Sequence, residues 1–228
     1  MLPGEWRKYM DYSVRITKLE DETKSTKALA SVTFNGEFKI NNIAIAEAVN
    51  GYIYVNMPRY KSSQANEDGQ PDYKDICMPV TSDFAKQFYK DIISVYKDAK
   101  ENGSKSVVKD FKGASELVEM SISVKAVPLK EEGGSVVSVA SVCFEDCFVV
   151  RGIKVVKGSN GEFVSMPNYK TNQFNENGAP VYKDICHPVT ADFRQKLFDA
   201  VLKESNIALG REQPDVAEEA NQPKRHAR

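Results

Sequence analysis

The chain has 228 residues, of which 41% are hydrophobic and 28% are charged, the composition of an ordinary globular protein. Its formal net charge of −1 excludes binding to nucleic acid or to a membrane surface through overall charge, so any basic surface must be local. No apolar run is long enough to span a bilayer and residues 1–10 do not resemble a signal peptide, which together predict a cytoplasmic protein.

Alternation of polar and apolar residues indicates two strands in the first part of the chain, at 13–17 and 29–34. The dipeptide Asn35-Gly36 comes directly after the second strand. Both residues tolerate positive φ, so the pair predicts a tight hairpin turn. A third strand is therefore expected to return antiparallel beside the second.

The third strand is predicted at 38–45, where the phase of the apolar residues shifts by one at Asn41 and Asn42. Such a shift indicates a β-bulge, in which one strand carries an extra residue. A turn at 50–51 then leads into a fourth strand at 52–55. The first part of the chain is thus predicted to form a four-stranded antiparallel meander.

A polar segment at 62–71 predicts a flexible loop, and an amphipathic helix is predicted at 82–100. Thr81 stands where the N-cap of this helix is expected. The apolar side of the helix carries Phe84, Phe88, Ile92 and Val95. A helix with one apolar face packs on a sheet, so the predicted fold class is α+β.

Residues 73–84, which join the end of the meander to the helix, return at 182–193 with only two differences. A match of this length within one chain predicts a tandem duplication, and the other elements recur in the same order. Each repeat is predicted to be a meander followed by one long helix.

The sequence divides into four predicted segments. They are a first repeat at 12–103, a linker at 104–119, a second repeat at 120–210 and a disordered tail at 211–228. Apolar residues in the linker favour docking onto one of the repeats. The basic end of the tail is either solvated or in contact with phosphate.

The four cysteines are predicted to have structural roles and no catalytic role. Cys77 and Cys186 occupy equivalent apolar positions and are predicted to be buried free thiols. Cys143 and Cys147 flank a turn in the second repeat and can face each other as a disulfide or as metal ligands. No CxxC motif or nearby histidine supports a metal, so neither a metal nor a cofactor is predicted.

Three segments of the second repeat carry a family resemblance. Residues 163–167 spell Phe-Val-Ser-Met-Pro, residues 184–189 spell Asp-Ile-Cys-His-Pro-Val, and residues 194–202 spell Arg-Gln-Lys-Leu-Phe-Asp-Ala-Val-Leu. In this order they resemble the strand end, the junction and the helix of the SpoVG family (stage V sporulation protein G, or septation protein). The similarity extends over each repeat nearly from end to end.

The resemblance implies a small bacterial cytoplasmic protein that binds DNA or RNA and regulates gene expression, and that is not an enzyme. Members of this family are usually dimers of single domains. Two fused copies therefore imply an intramolecular pseudo-dimer, and further self-association stays open. The family's helix is implicated in nucleic-acid contact.

On the resemblance, the basic pair of the family's helix corresponds to Arg194 and Lys196 in the second repeat. The matching positions in the first repeat are Ala85 and Gln87. This departure favours repeats that bind differently.

Other lysines follow the helical period on the side that faces away from the predicted core. Lys86, Lys90 and Lys97 form such a stripe in the first repeat, and Lys196 and Lys203 share the solvent side in the second. The alternatives are a face that contacts phosphates and a face that only keeps the helix soluble.

A third candidate site follows the Met-Pro end of the fourth strand. Arg59, Lys61 and Lys170 lie beside Tyr60 and Tyr169 in the sequence. A nucleobase can stack on such a tyrosine while the cation holds the backbone. The alternative is a tyrosine that packs on the helix.

His187 is the only histidine within either repeat, and Cys186 precedes it. Neighbouring side chains of an extended segment point to opposite faces, which argues against a Cys–His catalytic couple, and no hydrolase or nucleotide-binding motif is present. His187 is therefore predicted to be structural, with phosphate contact as the alternative. Two functions remain: a nucleic-acid-binding regulator, and a protein-interaction module that has lost nucleic-acid binding.

Overall fold

The computed structural model describes residues 10–21, 23–65, 68–113, 119–129 and 134–211. The first repeat contains β1 (Tyr12–Lys18), β2 (Thr26–Phe34), β3 (Phe38–Glu47), β4 (Ile53–Asn56), β5 (Arg59–Ala65), β6 (Pro71–Asp75), β7 (Cys77–Pro79) and α1 (Ser82–Glu101), followed by β8 (Ser106–Phe111). The second contains β9 (Ile122–Pro128), β10 (Val136–Phe144), β11 (Phe148–Gly158), β12 (Gly161–Ser165), β13 (Asn168–Phe174), β14 (Pro180–Asp184), β15 (Cys186–Pro188) and α2 (Ala191–Ala208).

The predicted meander is confirmed in both repeats. Strands β1 to β4 pair in sequence order and antiparallel, and β9 to β12 do the same. The turn between β2 and β3 has positive φ at Asn35 (47°) and Gly36 (69°), as the dipeptide predicts.

The predicted bulge in β3 is also confirmed. Its register with β2 jumps between Ala30↔Ile43 and Val32↔Ile40, so an extra residue lies opposite Ser31. Asn42 at this point has a φ of 60°, a conformation that asparagine tolerates better than most side chains.

The short strand at each repeated junction pairs with the sheet of the other repeat. Strand β7 lies antiparallel to β11, with Pro79 opposite Phe148 and Cys77 opposite Val150. Strand β15 lies antiparallel to β3 in the equivalent way. The sequence predicts only a strand-to-helix connection at each junction. The pairing of each junction strand with the sheet of the other repeat is found only in the structure.

Backbone hydrogen bonds at the bulges extend the exchange. The amide of Asn41 donates to the carbonyl of Ile185 at 2.8 Å, and the amide of Arg151 donates to the carbonyl of Ile76 at 2.7 Å. Each bulge therefore faces the incoming strand of the other repeat and supplies it with a donor.

A shared core follows from the exchange. Phe34 and Phe148 lie 4.9 Å apart between ring centroids, and Phe38 and Phe144 lie 4.7 Å apart. The buried residues of both repeats form one continuous cluster. The chain is therefore an intramolecular pseudo-dimer with a common core.

The helices present the predicted apolar faces to this core, and they begin at equivalent threonines. The side chain of Thr190 accepts a hydrogen bond from the amide of Phe193 at 3.3 Å, as an N-cap does. Thr81 has the extended N-cap conformation without a side-chain bond, so the predicted cap is complete only in the second repeat.

The predicted flexible loop at 62–71 is longer than the loop in the structure. Strands β5 and β6 form a two-stranded hairpin that takes up half of it, since β5 ends at Ala65 and β6 begins at Pro71, and β13 and β14 form its equivalent. The described side chains of these strands are mostly exposed, so the strands lack the apolar alternation by which strands are recognised in a sequence.

The prediction that the linker docks is confirmed. Strand β8 pairs antiparallel with β1 along almost its whole length, and the ring of Phe111 stacks on Tyr12 with centroids 5.3 Å apart. Residues 114–118 of the linker and 212–228 of the tail lie outside the described residues, so the predicted disorder of the tail stays a prediction.

The four cysteines are free thiols. Cys77 and Cys186 are buried as predicted, and burial raises the pKa of Cys77 to about 12. Cys143 lies opposite Val149 rather than Cys147, so the possibility that these two cysteines face each other across the hairpin is wrong. In the described ranges, no group of three or more His, Cys, Asp or Glu residues is placed to hold a metal ion.

Candidate nucleic-acid interface

The predicted lysine stripe of α1 lies on the solvent side of the helix. Lys86, Lys90 and Lys97 are exposed, and the opposite face is buried against the sheet. Among the residues that the structure describes, no ion pair is recorded for any of these three lysines. Their charges are therefore available to an external anion.

The basic residues of α2 are arranged differently. Lys196 donates to the Glu119 carboxylate at 2.8 Å and to the Met120 carbonyl at 3.0 Å, and only 34% of its side chain is exposed. This ammonium ties α2 to the segment before β9, whereas the stripe prediction had it facing solvent. Lys203 is exposed.

Arg194 is exposed but held in place. Its guanidinium donates to the carbonyl of Pro188 at 3.2 Å and lies 5.6 Å from the ring centroid of Phe198. The remaining donors of a fixed guanidinium can still bind phosphate with two parallel hydrogen bonds. Arg194 therefore keeps the geometry that phosphate contact requires.

The hairpin β5–β6 carries alternating tyrosines and lysines. Tyr60 lies opposite Lys74, and Lys61 lies opposite Tyr73. Arg59 at its base forms an ion pair with Asp75 at 2.7 Å, so its charge is already balanced within the chain.

The hairpin β13–β14 repeats this arrangement. Tyr169 lies opposite Lys183, and Lys170 lies opposite Tyr182. The exposed fractions of the hairpin tyrosines are 47% for Tyr60, 57% for Tyr73, 39% for Tyr169 and 58% for Tyr182. These exposures disfavour a tyrosine packed against the helix.

The sequence analysis did not find that each hairpin has a second tyrosine and a second lysine opposite the predicted pair. These residues are Tyr73 and Lys74 in the first repeat and Tyr182 and Lys183 in the second. The signal was present, because a strand from 59 and a strand to 75 joined by a turn place Tyr60 beside Lys74. The predicted loop concealed it.

The SpoVG family model matches residues 10–98 and residues 120–206, well over half of the chain. This chain belongs to the SpoVG family. The two matched segments are the two repeats, each with its own meander, hairpin, junction strand and helix.

Relatives in this family are shorter than the tandem chain. A Thermoanaerobacter protein (strain X514) is 43% identical over 89 residues, which are 39% of this chain and 89% of the relative. A Clostridioides difficile protein is 41% identical over 86 residues, and a Borreliella burgdorferi protein is 37% identical over 83 residues, which are 86% and 79% of those relatives. All three carry the name "Putative septation protein SpoVG".

The SpoVG junction motif of the second repeat is the exchanged strand β15. Within it, His187 is half-buried and lies opposite Lys39 of the other repeat. Burial lowers the pKa of His187, Lys39 and Arg194 lower it further, and Asp184 opposes them. The imidazole is therefore mostly neutral at pH 7 and lies near two cationic groups and one carboxylate.

Proposed function

We propose that this SpoVG-family chain is a nucleic-acid-binding regulatory protein that contacts phosphates of DNA or RNA through basic faces of its helices. It acts by binding, without chemistry of its own. The septation name of its relatives supports a regulatory role of the same kind, with cell division as the candidate process.

The observation that carries the proposal is the lysine stripe of α1. Three exposed lysines at helical spacing present positive charge on one side of a chain whose overall charge is close to zero. Such local charge neutralises phosphates and releases counterions on binding. Phosphate contacts position a protein on nucleic acid without reading its sequence.

The alternative, a protein-interaction module, has support from other contacts. Lys196 and Arg59, two of the predicted cations, form ion pairs inside the chain. The first repeat has Ala85 and Gln87 where the family helix carries basic residues. This reading assigns the helix faces to solubility alone.

An electrophoretic mobility shift assay across a salt series separates the two functions. We expect the purified chain to bind mixed DNA and RNA at low salt and to lose affinity steeply as salt rises. No binding at low salt contradicts the proposal, and protein partners that survive nuclease treatment then favour the interaction module.

Charge reversal tests whether the lysine stripe of α1 is the surface that binds nucleic acid. The double variant K86E/K90E is expected to weaken binding and to flatten the salt dependence by about one to two units of slope. K154E/K157E, at two exposed lysines of β11, is the matched control, since it changes the net charge equally. Equal losses in both double variants would show a general charge effect and remove the role of the stripe.

A further inference from the structure

An open cleft of about 470 Å³ lies where the two repeats meet, beside the exchanged strand β15. Its lining residues come from both repeats and are Asn41, Asn42, Tyr169, Lys183, Asp184 and His187. The first two belong to the bulge of β3, and the others belong to β13, β14 and β15. The cleft therefore exists only because the strands are exchanged.

Polar groups in this cleft lack partners. Nδ1 of His187 is buried and makes no hydrogen bond. Within the described parts of the chain, no hydrogen bond is recorded for the side-chain amides of Asn41 and Asn42. Buried polar groups are normally paired, so the unpaired Nδ1 is unusual, and the amides of Asn41 and Asn42 in the lining are open to a ligand.

The acid in the cleft is also available. Asp184 has no ion pair recorded with any described residue, whereas its equivalent Asp75 is paired with Arg59 at 2.7 Å. Asn168 stands where the first repeat has this arginine, and its amide donates to the Met166 carbonyl at 3.0 Å. Asp184 thus keeps both oxygens open as hydrogen-bond acceptors.

The equivalent place on the other side of the pseudo-dimer has a different chemistry. Met78 replaces His187, and Arg151 and Gly152 replace the two asparagines of the bulge. There the guanidinium of Arg151 lies 3.9 Å from the sulfur of Met78. The unpaired acceptors and amides are specific to the cleft beside β15.

Resting on the proposed function, we propose that this cleft binds one nucleobase of a single-stranded nucleic acid. The base stacks on the exposed ring of Tyr169, and Asp184 with the bulge amides contacts its edge. Lys183 from the rim and Lys39 and Arg194 beside His187 hold the adjoining phosphates. The site gives the chain selectivity that phosphate contacts alone lack.

Guanine is the base that suits the acid best. A carboxylate only accepts hydrogen bonds, and the Watson–Crick edge of guanine offers two neighbouring donors, N1–H and the N2 amino group. Adenine and cytosine offer one amino group next to an acceptor, which a carboxylate repels. The cleft is therefore expected to prefer guanine.

Fluorescence anisotropy with labelled ten-nucleotide strands tests the cleft in the full-length chain. The probes are oligo(dT) and the same strand with one central dG, together with their RNA counterparts. Y169A is expected to weaken binding of the dG strand by about 5- to 150-fold, the range of one base–aromatic stack. Y52A removes a tyrosine that is 66% exposed and lies outside both hairpins, and it is expected to leave the affinity within about twofold of the unsubstituted chain.

Asp184→Asn tests whether the carboxylate causes the preference for guanine. The unsubstituted chain is expected to bind the dG strand more tightly than oligo(dT), and D184N is expected to lose that difference.

Guanosine monophosphate serves as a second probe, and its binding is observed through the NMR signals of the histidine imidazoles. His187 is expected to shift on titration while His226 does not. A shift with the nucleotide but no effect of Y169A on the strand would overturn strand binding in the cleft and leave it as a site for free nucleotides.

The outcomes separate this inference from the proposed function. Strand binding that is weakened equally by Y169A and Y52A, or by neither, overturns strand binding in the cleft and leaves the phosphate-binding proposal standing. Equal affinity for dG and dT strands overturns the role of Asp184. No binding of any strand at low salt overturns the proposed function and the cleft together.

Discussion

The two repeats share a fold but anchor helix to sheet in different ways. In the first, the hydroxyl of Tyr12 donates to the carboxylate of Asp91 at 2.7 Å in the buried core. In the second, the hydroxyls of Ser138 and Ser205 lie 2.6 Å apart, again buried. The positions equivalent to these pairs in the sister repeat hold Ile122, Ala200, Ala28 and Tyr96, so neither pair of side chains is repeated.

The difference teaches that the duplication left the exchanged strands alike and let the rest diverge. Both junctions meet the same kind of bulge, so their sequences are held by a common geometry. The helix interiors and the outer surfaces carry no such constraint. The charged surfaces therefore differ between the repeats while the architecture does not.

The largest effect is expected from the shared core. Phe148 is fully buried and contacts Phe34, Phe84 and Phe88 of the other repeat. F148A is expected to lower the free energy of unfolding by about 3–5 kcal/mol, the usual loss for a buried phenylalanine. Urea denaturation followed by circular dichroism measures it, and both repeats are expected to unfold in one transition.

F174A is the matched control, since Phe174 is 64% exposed on its hairpin. Its effect is expected to stay within about 0.5 kcal/mol. Two separate transitions, of which F148A shifts only one, would contradict a common core and would make the repeats independent domains.

The two buried anchors are expected to differ in strength. Y12F removes a hydrogen bond to a carboxylate, which is worth about 1.5–3 kcal/mol, whereas S205A removes a hydroxyl pair worth about 0.5–1.5 kcal/mol. The double variant S138A/S205A is expected to be closer to neutral than S205A, since no hydroxyl is then left unpaired. Equal losses for Y12F and S205A in urea denaturation would erase this contrast.

The helix caps give a smaller contrast. T190A is expected to destabilise the chain by about 0.5–2 kcal/mol because it removes the bond to the Phe193 amide. T81A removes no such bond, so a smaller loss is expected from it. Thermal unfolding of the two variants side by side measures the difference, and a larger loss for T81A would contradict the cap assignment.

The smallest effect is expected from pH. Burial, Lys39 and Arg194 lower the pKa of His187, whereas Asp184 acts in the opposite direction. A histidine with a lowered pKa in the folded state stabilises the fold above its ordinary pKa, and that stability is lost as pH falls through the folded value.

H187M gives the second junction the residue of the first and removes this titration. The stability of the unsubstituted chain relative to H187M is expected to be constant above about pH 7 and to fall towards pH 5. Urea denaturation at a series of pH values tests this. A difference that rises on acidification would show that His187 gains a proton more readily in the folded chain.

The parts of the fold that the sequence predicts are those set by near neighbours. The turn at Asn35, the bulge at Asn42 and the apolar face of α1 each depend on a few adjacent residues. The partner of residues 77–79 does not, because β3 and β11 offer nearly the same surface. Only the three-dimensional course of the chain decides between a strand's own repeat and its sister.

In the candidate site too, some features depend on neighbouring residues and can be predicted from the sequence, whereas others depend on residues far apart in the chain. The exposed stripe of α1 follows from helical period alone. The ion pair that occupies Lys196 depends on Glu119, which lies far away in the sequence. The cleft joins Asn42 to His187 across the whole chain, so no local pattern points to it.

The exchange of strands also sets an order of events during synthesis. Residues 38–40 of β3 leave the ribosome early, but their partner, residues 186–188, is made near the end of the described chain. At the usual rates of translation the interval is on the order of ten seconds. Strand β4 covers only residues 44–47 on that edge of β3. Throughout the interval the part at residues 38–40 has no partner, so the nascent first repeat carries a short open edge that only the last part of the second repeat closes.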